Sequence, residues 1–287
     1  MDSRSKPITR AIAPLLLFIL SVLGSCIPDP LEVYDVPSLA PRIVIGSQVI
    51  PGQGLLVYVT RSVGALEAGW GSELEPLLQQ IAISDAVVTL SYDDTTDTLV
   101  HQAYGVYVGA LDAVVAGKTY TLKVKSPAWG EVEAIATAPA YVPFQSADAS
   151  LFLTGFDSLA RIRYSLQDPP GPNWYMINVQ KVSAATPIDR YLNPRVFTKL
   201  LRDSTFDGKK FEDEFNVIFQ NYSDGDSVLV TMSNISPDYY HYLWLRNDSR
   251  FSLAGFASEP LNFPTNVQGG YGYFNLHVPD VRGFVLE

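Results

Sequence analysis

Short β-rich runs recur about every ten residues from residue 42 onward, and this rhythm constrains the fold more than any other feature. "KTYTLKVKSP" (118–127) shows it most plainly. Tyr120, Leu122 and Val124 alternate with Thr121, Lys123 and Lys125, so an extended segment here has one apolar and one polar face. "RIVIGSQVI" (42–50) and "LLVYVT" (55–60) flank the turn residues Pro51-Gly52-Gln53-Gly54 and read as two joined strands. "DAVVTLSYDD" (85–94), "LVHQAYGVYVG" (99–109) and "EVEAIATAP" (131–139) continue the series. Strands at this spacing, punctuated by Gly, Pro and Asp, predict a β-sandwich over residues 42–139. Pro139 and Pro143 mark its boundary.

The remainder predicts a second β-rich domain over residues 140–287. "SLFLTGF" (150–156), "ARIRYSLQD" (160–168), "NWYMINVQKV" (173–182), "DSVLVTMSNI" (226–235) and "YGYFNLHV" (271–278) read as its strands. "SPDYYHYLWLRND" (236–248) breaks the period of two. Ser236 can cap a helix with Pro237 at its first position, which predicts a helix over 237–248. Tyr240, Leu243 and Trp244 share one helical face, which leaves Tyr239 and Tyr242 as the candidates for ligand contact. "SELEPLLQQI" (72–81) allows a shorter helix starting at Ser72 and limited by Pro76. The fold class is therefore mainly β with a short helix.

The start of the chain speaks of address rather than fold. Arg4, Lys6 and Arg10 precede the apolar stretch 11–23, too short for a membrane span of about 20 residues but suited to an export signal. Leu23-Gly24-Ser25-Cys26 follows, and Cys26 is the only cysteine. Leucine three residues before a cysteine, with small residues between, resembles the bacterial lipobox. That resemblance implies a signal peptide over 1–25 and acyl chains, such as palmitate, on Cys26 as the first mature residue. Each buried CH₂ contributes about 0.8 kcal/mol, so two or three chains anchor firmly. Residues 26–41, with Pro28, Pro30, Pro37 and Pro41, read as an extended tether. A lone cysteine forms no disulfide within one chain, so stability must come from the cores. With residues 1–25 removed, three of 20 basic and one of 30 acidic residues leave, and the rest carries about −12. Such a surface excludes nucleic acid as a partner and electrostatic docking on anionic lipid.

Few motifs carry chemistry. "DSTFDGKKFEDE" (203–214) has the spacing of an EF-hand loop, with Asp203, Thr205, Asp207, Lys209 through its carbonyl and Glu214 as calcium ligands around Gly208. Thr205 brings no charge, and Lys210 stands where such loops place an apolar residue. An ordinary Asp-Gly turn is the simpler reading. His101, His241 and His277 are too far apart in sequence to suggest zinc. No nucleophile elbow, P-loop or zincin motif is present. The sequence therefore predicts a protein that is not an enzyme and has no cofactor beyond that calcium loop, with a hydrolase assembled from distant carboxylates as the lesser alternative.

The order of the pieces resembles a known family. The lipobox and spacer, "PRIVIGSQV", "SDAVVTLSYDD", "YGVYVG", "AGKTYTLKVKSP", "VEAIATAP", "DYYHYLWL" and "SEPLNFPTNVQGGYGYF" together resemble a Bacteroidota lipoprotein family known only as domain of unknown function four-two-four-nine. "YGVYVG…AGKTYTLKV" also resembles transthyretin-like and carboxypeptidase-regulatory sandwiches, of broadly immunoglobulin-like form. The lipoprotein resemblance implies an outer-membrane location beside a TonB-dependent receptor and an accessory role in nutrient uptake. A surface adhesin or structural envelope module is the alternative it leaves open.

Overall fold

The computed structural model describes residues 40–50, 54–63, 74–109, 114–155, 157–182, 196–218, 221–251 and 263–287. Cys26, the signal segment 1–25 and the tether up to residue 39 lie outside the described residues. Residues 41–287 form one compact unit, mainly β, with sixteen strands and two α-helices among the described residues.

Alternating residues build the first core. Strands β1 (Ile43–Ile50), β2 (Gly54–Arg61), β3 (Val87–Tyr92), β4 (Thr95–Ala103), β5 (Val106–Gly109), β6 (Thr119–Ser126) and β7 (Gly130–Thr137) supply it. β6 buries Tyr120, Leu122 and Val124, as its sequence pattern predicts. The run 99–109 is two strands rather than one. Tyr104 and Gly105 both adopt positive φ, 49° and 72°, which makes a two-residue hairpin turn. A Cβ on Gly105 would stand 2.3 Å from the Val59 carbonyl oxygen, so only glycine fits. β4 pairs with β3 over 95–99 and with β5 over 100–103, carrying the chain from one half of the sheet to the other. Helix α1 (Leu74–Ile81) begins two residues later than Ser72. Pro76 thereby lies in its first turn, where no intrahelical N–H is missed.

Two short strands late in the chain close this sheet. β14 (Val267–Gln268) pairs antiparallel with β7, and β15 (Tyr271–Tyr273) pairs parallel with β1. The strand order is β14-β7-β6-β3-β4-β5-β2-β1-β15, so both ends belong to the segment 267–273. Its middle is Gly269-Gly270, and a Cβ on Gly270 would lie 2.6 Å from the Ile43 carbonyl oxygen. The side chain of Asn266 pins the seam, donating to the carbonyls of Ile135 at 3.0 Å and Phe274 at 2.7 Å. Phe274 and Leu276 then drop into the core beside Leu55, Val57 and Leu122. Burying side chains of this size contributes about 1.5–3 kcal/mol each, so the closing segment is held by packing as well as by ladder bonds.

A second core lies between two further sheets. One is β12 (Lys210–Val217), β9 (Ser158–Gln167) and β8 (Phe144–Leu153); the other is β11 (Phe197–Arg202), β10 (Trp174–Lys181), β13 (Ser227–Ile235) and β16 (Asp280–Val285). Ile162 and Leu166 from the first meet Ile177, Val179, Val230 and Met232 from the second. Along the chain the two cores divide near residue 140, except that Val267, Phe274 and Leu276 return to the first.

Helix α2 (Pro237–Phe251) follows β13 directly. The Ser236 hydroxyl accepts the Tyr239 N–H at 3.2 Å and the Ser236 carbonyl accepts the Tyr240 N–H at 2.9 Å, the expected cap. The helix buries Leu243 against Met176 and Ile235. Trp244, expected on the buried face, is 49% exposed. The packed stripe runs through 239, 242, 243 and 246, and Trp244 lies a further turn of about 100° around the axis from Leu243.

Candidate functional site

The residues of the calcium-loop pattern do not converge on one point. Asp203 opens a single 3-10 turn between β11 and β12, so strands rather than helices flank the loop. Glu214 lies within β12 opposite Arg163 of β9 and pairs with its Nε at 2.5 Å, with Arg161 Nε at 3.5 Å. Thr205 and Lys209 are exposed, and the Lys209 carbonyl accepts the Asp168 N–H at 3.1 Å. Asp203 and Asp207 do come together, with Asp168 as their neighbour; one oxygen of each lies within 4.8 Å of the others. Backbone amides hold these carboxylates: Gly208 N–H donates to Asp168 at 2.8 Å, Asn173 N–H to Asp203 at 2.5 Å and Gly171 N–H to Asp207 at 2.9 Å. The Tyr175 hydroxyl also donates to Asp168, and burial together with that carboxylate pushes its pKa well up. The three acids thus brace the loop "DPPGPN" between the second core's two sheets.

The histidines stay apart. His101 tilts against Tyr107 in the first sheet with ring centres 5.1 Å apart, while exposed His241 stacks on Trp244 at 6.3 Å. His277 is buried on the segment following β15.

That segment forms one side of a cleft of about 550 Å³. The cleft follows from strand alternation. β10 sends Tyr175, Ile177 and Val179 into the second core, so Met176, Asn178 and Gln180 face the other way. β13 does the same with Leu229, Thr231 and Ser233. In register, Met176 pairs with Ser233, Asn178 with Thr231 and Gln180 with Leu229, which makes a mostly polar floor. β1 supplies one wall through residues 45–50. Helix α2 supplies another through Tyr239, Tyr242, Leu243 and Arg246, at positions i, i+3, i+4 and i+7.

Ser233 Oγ, Asn275 Oδ1 and His277 Nδ1 in this cleft are buried and have no hydrogen-bond partner among the described residues. Their residues are 1%, 6% and 7% exposed. Leaving such a group unsatisfied costs about 1–3 kcal/mol, so polar complements from a bound molecule are favoured here. The Asn275 amide has a set orientation, because its Nδ2 donates to the Ser47 carbonyl at 3.3 Å and its N–H to Ser47 Oγ at 2.8 Å. Burial pulls the His277 pKa down to about 4, so its imidazole is neutral at pH 7.

The aromatic residues form a layered wall. The Tyr239 ring lies between His277, 5.8 Å away, and Tyr242, 5.9 Å away, and both contacts are near parallel. Tyr273 touches both tyrosines, and the Arg246 guanidinium sits 5.9 Å from the Tyr242 ring centre. Burial pushes Tyr239 up to about 12. Tyr239 and Tyr242, singled out from the sequence, therefore both line the cleft. Arg246, Ser233, Asn275 and His277 were not singled out. The spacing Tyr239-x-x-Tyr242-Leu243-x-x-Arg246 carried a signal for the first of these. No local pattern marked the other three, because their roles depend on strands distant in sequence.

The family model described as Domain of unknown function (DUF4249) matches residues 31–279. The chain belongs to this family. No curated protein matches it. The DUF4249 segment includes both β14 and β15, and every lining residue named above.

Proposed function

We propose that this DUF4249 chain is a lipid-anchored outer-membrane protein of the Bacteroidota type that binds a small ligand for an adjacent TonB-dependent receptor and performs no chemistry on it. The observation that carries the reading is the cleft between β1, the β10–β13 floor and α2, with the unpartnered buried polar atoms of Ser233, Asn275 and His277. Pockets that take small molecules span about 300–1,000 Å³ and combine apolar walls with a few placed polar groups. Among the described lining residues there is no carboxylate to serve as a general acid or base. The lipobox at 23–26 and the proline-rich tether support the anchor. In the same reading the first core is a transthyretin-like or immunoglobulin-like sandwich, supported by the crossing of β4 between its halves, and residues 140–287 are a second β-rich domain. No helix among the described residues is long and apolar enough to cross a membrane.

Fractionation and co-purification test this reading. Wild-type protein is expected in the outer-membrane fraction together with a TonB-dependent receptor, and Cys26→Ser in the soluble fraction. Cys26→Ser remaining membrane-bound would refute the anchor. A deletion strain that grows normally on every nutrient tested, with no receptor recovered, would refute the accessory role.

A further inference from the structure

We infer that the cleft takes an uncharged polyhydroxylated ligand, a neutral mono- or disaccharide, with its hydroxyls on Ser233, Asn275 and His277 and a ring face along the tyrosine wall. This rests on the cleft being the binding site proposed above. The first observation is the chemistry of the buried polar atoms. Asn275 Oδ1 only accepts a hydrogen bond, the Ser233 hydroxyl donates and accepts, and a neutral imidazole nitrogen donates or accepts according to its tautomer. A ligand hydroxyl is both donor and acceptor, so one repeated group satisfies each of them. An ammonium group only donates and a bare carbonyl only accepts. Asn178 takes a hydrogen bond on Oδ1 from the Thr198 hydroxyl at 2.8 Å, which fixes its amide and leaves Nδ2 as the donor it presents. Thr231 adds a further hydroxyl to the floor.

The second observation is charge. The chain carries 30 acidic residues, yet no carboxylate stands among the described residues lining this cleft. The one charged side chain among them, Arg246, is already engaged, its guanidinium 5.9 Å from the Tyr242 ring centre. A charged ligand would lose its hydration against an uncharged floor, whereas a neutral hydroxyl exchanges water for the floor's own hydrogen bonds. The third observation separates a sugar from a peptide. β15 covers β1 only from Val44 to Gly46, and an extended peptide would continue along that edge from Ser47. Asn275 already holds this place. Its N–H donates to Ser47 Oγ at 2.8 Å, its carbonyl accepts from that hydroxyl at 2.8 Å, and its Nδ2 donates to the Ser47 carbonyl at 3.3 Å. Tyr239, Tyr242 and Tyr273 instead supply the aromatic surface on which the C–H face of a sugar ring packs. A volume of about 550 Å³ admits a disaccharide.

Calorimetric titration of the purified full-length chain tests the inference with galactose, galactobiose, maltose and cellobiose, and with digalacturonate as the charged counterpart of galactobiose. At least one neutral disaccharide is expected to bind, and galactobiose to bind more tightly than digalacturonate. Ser233→Ala is expected to weaken each bound sugar about tenfold, the loss of one ligand hydrogen bond, with the melting temperature of the free protein monitoring its fold. Thr231→Val removes a floor hydroxyl without changing its shape and repeats the test. Sugar binding unaltered in both variants overturns the placement in this cleft. Tighter binding of digalacturonate overturns the assignment of a neutral ligand. Failure of all four neutral sugars to bind overturns the inference outright. A parallel panel of amino acids and short peptides separates this inference from the reading it rests on. Binding there that Ser233→Ala weakens, with no sugar bound, overturns the saccharide and keeps the cleft as a site, whereas no binding by either panel counts against both.

Discussion

His277 should make the stability of this protein depend on pH between neutrality and pH 5. Its ring is buried at the cleft, and burial lowers its pKa from 6.5 to about 4. Between those values the unfolded chain binds a proton that the folded chain refuses, so stability rises with pH across that window and falls on acidification. The contribution is complete above pH 6.5 and lost progressively as pH falls toward 4. At pH 5 the loss from this one group is about 2 kcal/mol, approaching about 3 kcal/mol below pH 4. For a chain of this size 2 kcal/mol corresponds to about 4–8 °C in melting temperature. Tyr239, whose ring stacks on the imidazole, titrates near 12 and adds nothing in this range. Urea unfolding followed by tryptophan fluorescence, at pH 7.5 and 5.0 and equal ionic strength, measures the effect. His277→Asn keeps a polar atom near the Nδ1 position and does not titrate; His277→Phe provides a second neutral replacement. Wild type is expected to lose about 2 kcal/mol more than either variant between the two pH values. Equal losses in all three proteins would refute the claim that a neutral, desolvated imidazole sits there.

Other substitutions probe the floor, the seam and the acid cluster. Ser233→Ala removes a hydroxyl with no partner, so the free protein should be unchanged or up to about 1 kcal/mol more stable in urea; a clear loss would reveal a hydrogen bond to that oxygen. Gly272→Ala places a side chain at φ +90° with its Cβ 2.0 Å from the Ile45 carbonyl oxygen. It should cost upward of about 1–3 kcal/mol and raise amide exchange in β1 and β15, whereas wild-type exchange would refute the seam's role. Asp168→Asn weakens the charge-assisted bonds to Tyr175 and Gly208 and should cost about 1–3 kcal/mol by urea unfolding. Because backbone amides already hold the three acids, excess calcium and EDTA should give the same wild-type melting temperature; a calcium-dependent rise abolished in Asp168→Asn would make the cluster a metal site.

The sequence alone determined the strands with strict alternation and the capped helix, because these depend on neighbours one to four residues apart. Tyr120, Leu122 and Val124 announce their buried face, and Ser236-Pro237 announces a helix start, wherever the rest of the chain goes. The address proposed at Cys26 is likewise a linear pattern, carried by Leu23-Gly24-Ser25-Cys26 alone. Only the tertiary structure decided what the polar faces meet. Asn178, Gln180 and Thr231 alternate like solvent-facing residues, yet β1 and α2 cover that side and turn it into a cleft. The Gly269-Gly270 pair joins the two ends of a sheet whose first strand begins more than two hundred residues earlier. Tyr239 and Tyr242 were visible as candidates because a helix has a local face. Ser233 and His277 were invisible because a buried polar atom without a partner is defined by everything around it, and that surrounding is assembled only when the chain folds.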